Sequence, residues 1–120
     1  MAQTDVALAE LPTSVSSVVQ SEEGTIDRIL TWELDFAGDP TPDLVVQAAF
    51  AIGGGNMVVL AHYLFESRKQ GYVLAGRPEL PGGIKAAARK DDALELRLYR
   101  YLDGDGRCCP SGEEIVLIRP

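Results

Sequence analysis

The run Leu44-Val45-Val46-Gln47-Ala48-Ala49-Phe50-Ala51-Ile52-Gly53-Gly54-Gly55-Asn56-Met57-Val58-Val59-Leu60-Ala61-His62-Tyr63-Leu64-Phe65 decides the fold. Gly53, Gly54, Gly55 and Asn56 all tolerate the positive φ that a tight hairpin demands, and apolar, β-branched and aromatic residues fill both flanks. If Ile52 faces Met57 across the turn, then Phe50 meets Val59, Ala48 meets Ala61, Val46 meets Tyr63 and Leu44 meets Phe65. That row makes an almost wholly apolar face. On the opposite face Gln47 falls against His62.

Upstream, Ile26, Arg28, Leu30, Trp32, Leu34 and Phe36 alternate with Asp27, Thr31, Glu33 and Asp35, the period of a strand with one face wet. Gly38-Asp39-Pro40-Thr41-Pro42 breaks the chain between this strand and Leu44. Ser21-Glu22-Glu23-Gly24 reads as a polar turn. Before it, the opening segment suits at most one short helix ending before Pro12, and a second helix with Thr13 as N-cap and Val15, Val18 and Val19 on one face.

Downstream, Gly71 to Ala75 reads as a short strand and Pro78 to Gly83 as a loop. Ile84 to Lys90 then turns at Asp91-Asp92 into Ala93 to Leu102. Setting Arg89 opposite Glu95 places Ala86 and Ala88 against Leu98 and Leu96. The last run, Ile115-Val116-Leu117-Ile118, is apolar on both faces, the pattern of a strand inside a sheet. The expected fold is therefore mostly β, with α+β as the variant. It is a single-domain antiparallel sheet or sandwich of about seven strands with a short N-terminal helix. Residues 1-25 form an N-terminal segment and 26-120 the β-domain.

The 120 residues are 46% hydrophobic and 24% charged, an ordinary globular composition with enough apolar surface for one core. A formal charge of -7 disfavours nucleic acid and anionic membranes as partners and suits a basic one. No stretch reaches the roughly 18 apolar residues of a transmembrane helix. The N-terminus lacks the charged start and apolar run of a signal peptide, so the sequence reads either as cytoplasmic or as a mature, already processed chain.

The two cysteines are neighbours, Cys108 and Cys109, within Asp103-Gly104-Asp105-Gly106-Arg107-Cys108-Cys109-Pro110-Ser111. Adjacent Cα atoms lie about 3.8 Å apart, below the usual span of a disulfide, so a bond between the two closes a strained ring. Three readings stay open: a strained reducible link, two thiols pointing opposite ways from a corner fixed by Pro110, or a handle for a second chain. Zinc needs four ligands, and two thiolates with one distant histidine leave the set incomplete. A redox role draws on Arg107, which favours a thiolate beside it.

Asp35, Asp39 and Asp43 recur every four residues, and a loop between strands can present carboxylates to a hard cation such as Ca²⁺. The competing reading is a turn whose aspartates cap backbone amides. Asp103-Gly104-Asp105-Gly106, followed by Glu113 and Glu114, reads as an ordinary acidic turn neutralised by Arg107. His62 reads as a hydrogen-bonded strand residue, because a general base needs a nucleophile and an orienting partner. The Gly53–Asn56 loop joins two strands and so is a turn rather than a phosphate cradle.

The segment around Asp35, Asp39 and Asp43 resembles the Asp-rich loops of FG-GAP and integrin-propeller repeats. Ala37 stands at the third ligand position and Pro40 at the usual glycine. Together with the Gly-Gly-Asn hairpin and the Cys-Cys-Pro-Ser element, it resembles a family of small exported bacterial proteins, often lipoproteins, over about residues 30 to 112. In that family an aspartate precedes the Cys-Cys-Pro element, here Asp105. The resemblance implies a periplasmic or secreted location and an oxidising compartment, where a disulfide between Cys108 and Cys109, or between protomers of a homodimer, is favoured.

The expected function is a non-catalytic periplasmic or secreted binding domain with a protein partner in the cell envelope. Inhibitor or immunity proteins are a subclass of matching size and charge. Two alternatives stand beside it: a thiol-redox protein using Cys108 and Cys109, and a calcium-dependent structural or adhesive module at Asp35, Asp39 and Asp43.

Overall fold

The computed structural model describes residues 3–20, 24–36, 41–52, 57–106 and 109–119. Eight strands in two antiparallel sheets and one α-helix make up the domain so described. The strands are β1 (Thr4–Val6), β2 (Thr25–Leu34), β3 (Asp43–Ile52), β4 (Met57–Arg68), β5 (Gly71–Gly76), β6 (Ile84–Lys90), β7 (Ala93–Arg100) and β8 (Gly112–Ile118). The helix, α1, spans Thr13–Gln20, after a single 3₁₀ turn at Leu8–Glu10. Strands β1 to β5 form the larger sheet in sequence order, and β6-β7-β8 the smaller. All seven strands expected from the sequence are present; the eighth, β1, lies in the N-terminal segment and pairs with β2 through Asp5 and Leu30. Three residues carry too little periodicity to announce a strand.

The central hairpin has the register that its apolar row dictates. Ile52 pairs with Met57, Phe50 with Val59, Ala48 with Ala61, Val46 with Tyr63 and Leu44 with Phe65. The Gly53–Asn56 turn itself lies outside the described residues. Leu44, Val46, Ala48, Phe50, Tyr63 and Phe65 of this row are roofed by α1, while Val59 is 42% exposed. Val15 and Val19, fully buried, pack with Ile29, Val46, Phe50, Tyr63 and Phe65 into one core. Each valine so buried contributes roughly 1.5–3 kcal/mol relative to exposure, enough to hold an eight-residue helix that would not persist alone. Thr13 is the first helical residue rather than the cap, and the carbonyl of Pro12 accepts from the N–H groups of Val15 and Ser16, both at 2.9 Å. The Ser14 hydroxyl accepts from Tyr72 N–H at 3.1 Å and ties the helix to β5. Gly71 enters that strand at φ +120°, a conformation that side chains rarely adopt.

The other face of the larger sheet meets the smaller sheet across a second core. Leu30, Trp32, Leu34, Val45 and Leu64 pack there against Ile84, Ala87, Leu94, Leu96 and Leu98. The larger sheet is thus apolar on both faces, which corrects the expectation of one wet face for β2. Ile29 and Thr31 are buried beneath the helix side, and between Ile29 and Leu34 only Glu33 is exposed. A bulge between Ile26 and Arg28 reverses the alternation, so Ile26 joins the helix-side core while Leu30 faces the smaller sheet.

Two further expectations are corrected in the smaller sheet. Glu95 pairs with Ala88 rather than Arg89, and Leu96 with Ala87. Lys90 pairs with Ala93, so the turn is the two-residue Asp91-Asp92 loop, with Asp91 at φ +56° as primed hairpin turns require at their first position. A loop one residue longer would have given the other register. A bulge at Lys85 then returns Ile84 to the core opposite Leu98. The second correction concerns β8, which forms an edge of the three-stranded sheet instead of lying inside one.

Candidate functional site

Strand β7 ends at Arg100 and the chain returns into β8 at Gly112 through the loop that carries the cysteines. Asp105 organises this loop. Its Oδ2 accepts from Leu102 N–H at 2.6 Å and from Ser111 N–H at 2.9 Å, and the Ser111 hydroxyl donates to Oδ1 at 2.8 Å. Asp105 N–H in turn donates to the Leu102 carbonyl at 3.0 Å. The Leu102 and Ser111 amides, then the Ser111 hydroxyl, hold the Asp105 carboxyl below its ordinary value. The carboxylate thus staples the two ends of the loop in a conformation that Gly104 enters at φ +89°. Within it Cys109 N–H donates to the Gly106 carbonyl at 3.0 Å.

Cys109 is exposed and disulfide-bonded. The chain holds one other cysteine, Cys108, which lies outside the described residues with Arg107. Cys109 lines an open groove of about 970 Å³ together with Leu60, Pro81, Tyr101, Pro110 and Glu114. Five separate segments therefore meet: β4, the loop entering β6, the end of β7, the cysteine loop and β8. Tyr101, which lines the groove, is 57% exposed, and Leu102 next to it in the chain is 50% exposed. The groove floor is set by a close approach of backbones. Tyr99 N–H donates to the Gly83 carbonyl at 2.9 Å, and a Cβ on Gly82 would stand 2.6 Å from the Tyr99 carbonyl oxygen. Gly82→Ala must therefore push the loop off β7, and a loss of about 1–2 kcal/mol is expected in urea denaturation.

His62 and Gln47 face each other beneath this region, as the hairpin register predicts. Gln47 Oε1 accepts from Ile84 N–H at 2.7 Å, which fixes it as the oxygen, so His62 Nε2–H must be the donor in their 2.9 Å contact. The pair bridges the two sheets. His62 is 4% exposed, and burial pushes its imidazole down to about 4. It is neutral at pH 7 and occupied in a structural bond.

The aspartates of the β2–β3 connection are placed differently from one another. Asp43 is fully buried, and its Oδ2 and Oδ1 accept from Phe36 N–H at 3.1 Å and Ser67 N–H at 2.8 Å. Asp35 meets Arg89 Nη1 at 3.1 Å. Asp39 lies outside the described residues, among which no group of three or more His, Cys, Asp or Glu side chains is arranged to hold a metal. The carboxylate of Asp43 therefore acts as an amide cap joining the end of β2 to β4. Glu113 sits on the outer face of the smaller sheet, where the hydrogen bond from Lys85 and the nearby Arg97 hold its carboxyl below the ordinary value. It belongs to a surface ion-pair network rather than to the Asp103–Asp105 turn.

Sequence reasoning missed Leu60, Pro81 and Tyr101 as neighbours of Cys109. They stand on different strands and loops, and no local spacing links them. No family model, curated protein or solved structure matches this chain. Among the described residues no helix is long and apolar enough to cross a membrane.

Proposed function

We propose that the protein is an exported, non-catalytic binding domain that captures a protein partner of the cell envelope at the groove beside Cys109. The observation that supports this reading is the conjunction of exposed Tyr101 in the groove with a loop stapled by Asp105. A tyrosine presents large amphipathic area at little entropic cost, and a pre-ordered loop loses little freedom on binding. The net charge of -7 favours a partner with a basic face, as the inhibitor or immunity subclass would meet on its target enzyme. The one histidine, His62, is neutral and bonded to Gln47, so it serves the frame rather than a reaction. Capture of the partner from envelope extracts tests the proposal. Tyr101→Ser should lower the captured yield about tenfold or more while leaving the folded state intact. Failure to capture any partner, alongside a detected turnover of substrate, would count against it.

A second reading, thiol exchange, is favoured by one fact: the disulfide-bonded Cys109 is exposed at the groove. An external dithiol would be oxidised as this disulfide is reduced to two thiols. Replacement of Cys108 and Cys109 by serine must then abolish consumption of dithiol reductant, and unchanged consumption removes the reading.

A further inference from the structure

Sheet edges expose unpaired backbone N–H and C=O groups, and proteins protect them with short strands, bulges, lysines or prolines. Three of the four edges here carry such protection. Strand β1 has three residues. Strand β5 has glycine at both ends and a register shift beside Leu64. Strand β6 has a bulge and carries Lys85, Arg89 and Lys90. Strand β8 has no bulge, lysine or proline, and its charges, Glu113 and Glu114, sit at its start: seven residues pair with β7 in unbroken register, and among the described residues no strand lies on its other side. Its composition is that of an interior strand, yet Ile115 is 54% and Leu117 51% exposed on the outer face.

We propose that β8 pairs antiparallel with β8 of a second copy about a two-fold axis through Val116, joining two three-stranded sheets into one of six strands. The exposed row Glu113, Ile115, Leu117, Arg119 is complementary to itself. In the register centred on Val116, Glu113 of one copy faces Arg119 of the other, and Ile115 faces Leu117. Charges meet opposite charges at both ends and apolar groups meet in the middle. Moving the axis to Ile115 sets Glu113 against Leu117, and moving it to Leu117 sets Ile115 against Arg119. Only the Val116 axis matches all four positions. A two-fold interface uses the same patch twice, which a row of this kind satisfies. In the monomer Glu113 pairs with Lys85 and Arg119 with Asp92, both exposed surface pairs that cost little to rearrange.

Sedimentation equilibrium on the intact, oxidised chain at concentrations up to about 1 mM tests the proposal, with circular dichroism confirming that each variant is folded. Wild-type protein should show a reversible monomer–dimer equilibrium. Leu117→Lys, at an exposed position, should raise the dissociation constant about tenfold or more. Glu113→Arg and Arg119→Glu should each weaken the dimer severalfold, and the double exchange should restore it to within about threefold of wild type. A monomer throughout, a dimer insensitive to Leu117→Lys, a dimer abolished only by reductant, or a double exchange no better than either single one would overturn the proposal. Binding of Tyr101→Ser to the envelope partner reads the groove separately, so the two proposals fail independently.

Discussion

Replacing Asp43 by alanine is expected to cost about 3–4 kcal/mol of stability, measured as the shift in urea midpoint at unchanged slope. The carboxylate is fully buried and accepts from the amides of Phe36 and Ser67, which sit on different strand ends. Removing it leaves two N–H donors without that partner, at about 1–3 kcal/mol each, and deletes two charge-assisted bonds. Asp43→Asn keeps one acceptor oxygen but turns an amide donor toward another donor, so about half of the loss is expected. The same measurement separates the cap from the calcium reading. A cap requires the wild-type midpoint to be indifferent to added calcium, whereas a ligand that binds only the folded state would raise it.

A loss of roughly 2 kcal/mol is expected as the pH falls from 7 to 5, and roughly 3 kcal/mol by pH 4, through His62. In the unfolded chain its imidazole titrates near 6.5; in the folded protein burial holds it at about 4. Above 6.5 both states are neutral and stability is full. Between 6.5 and 4 the unfolded chain takes up a proton that the folded one refuses, so the equilibrium tilts toward unfolding as acid is added. Below 4 both bind it and this contribution levels off. Asp105 and Glu113, whose carboxyls are held below their ordinary values, act in the same direction, with a contribution that is full above those ordinary values and lost as the pH falls through the lowered ones. His62→Gln, which retains a donor toward Gln47, should flatten the slope between pH 7 and 5. Equal slopes in the two proteins would refute the assignment.

The sequence made the register of the large hairpin legible because two signals agreed: a four-residue connection tolerant of positive φ and an almost wholly apolar row that this register aligns. Where a single residue decided the outcome, pattern was insufficient. Alanines at 86, 87 and 88 pack equally well on either face, so the β6–β7 register waited on the conformation of Asp91 and the bulge at Lys85. The bulge at β2 hid in the same way, since Ile26 and Leu30 look like one face in sequence and belong to two cores in space. The capping reading of Asp43 was available from the residue type, but its partner Ser67 lies 24 positions away. The groove was the least legible feature, because Leu60, Pro81, Tyr101 and Cys109 converge through tertiary packing alone. For β8, composition indicated an interior strand and topology an edge, and that conflict is what the proposed pairing with a second copy resolves.

The claim that the groove beside the cysteine loop is the recognition surface is tested most directly by photo-crosslinking in the native envelope, with a benzophenone side chain in place of Tyr101 and, as control, in place of Ser17 on the opposite layer. The account predicts one discrete heteromeric adduct from position 101 and none from position 17. An adduct from position 17 alone, or none from either, would contradict it.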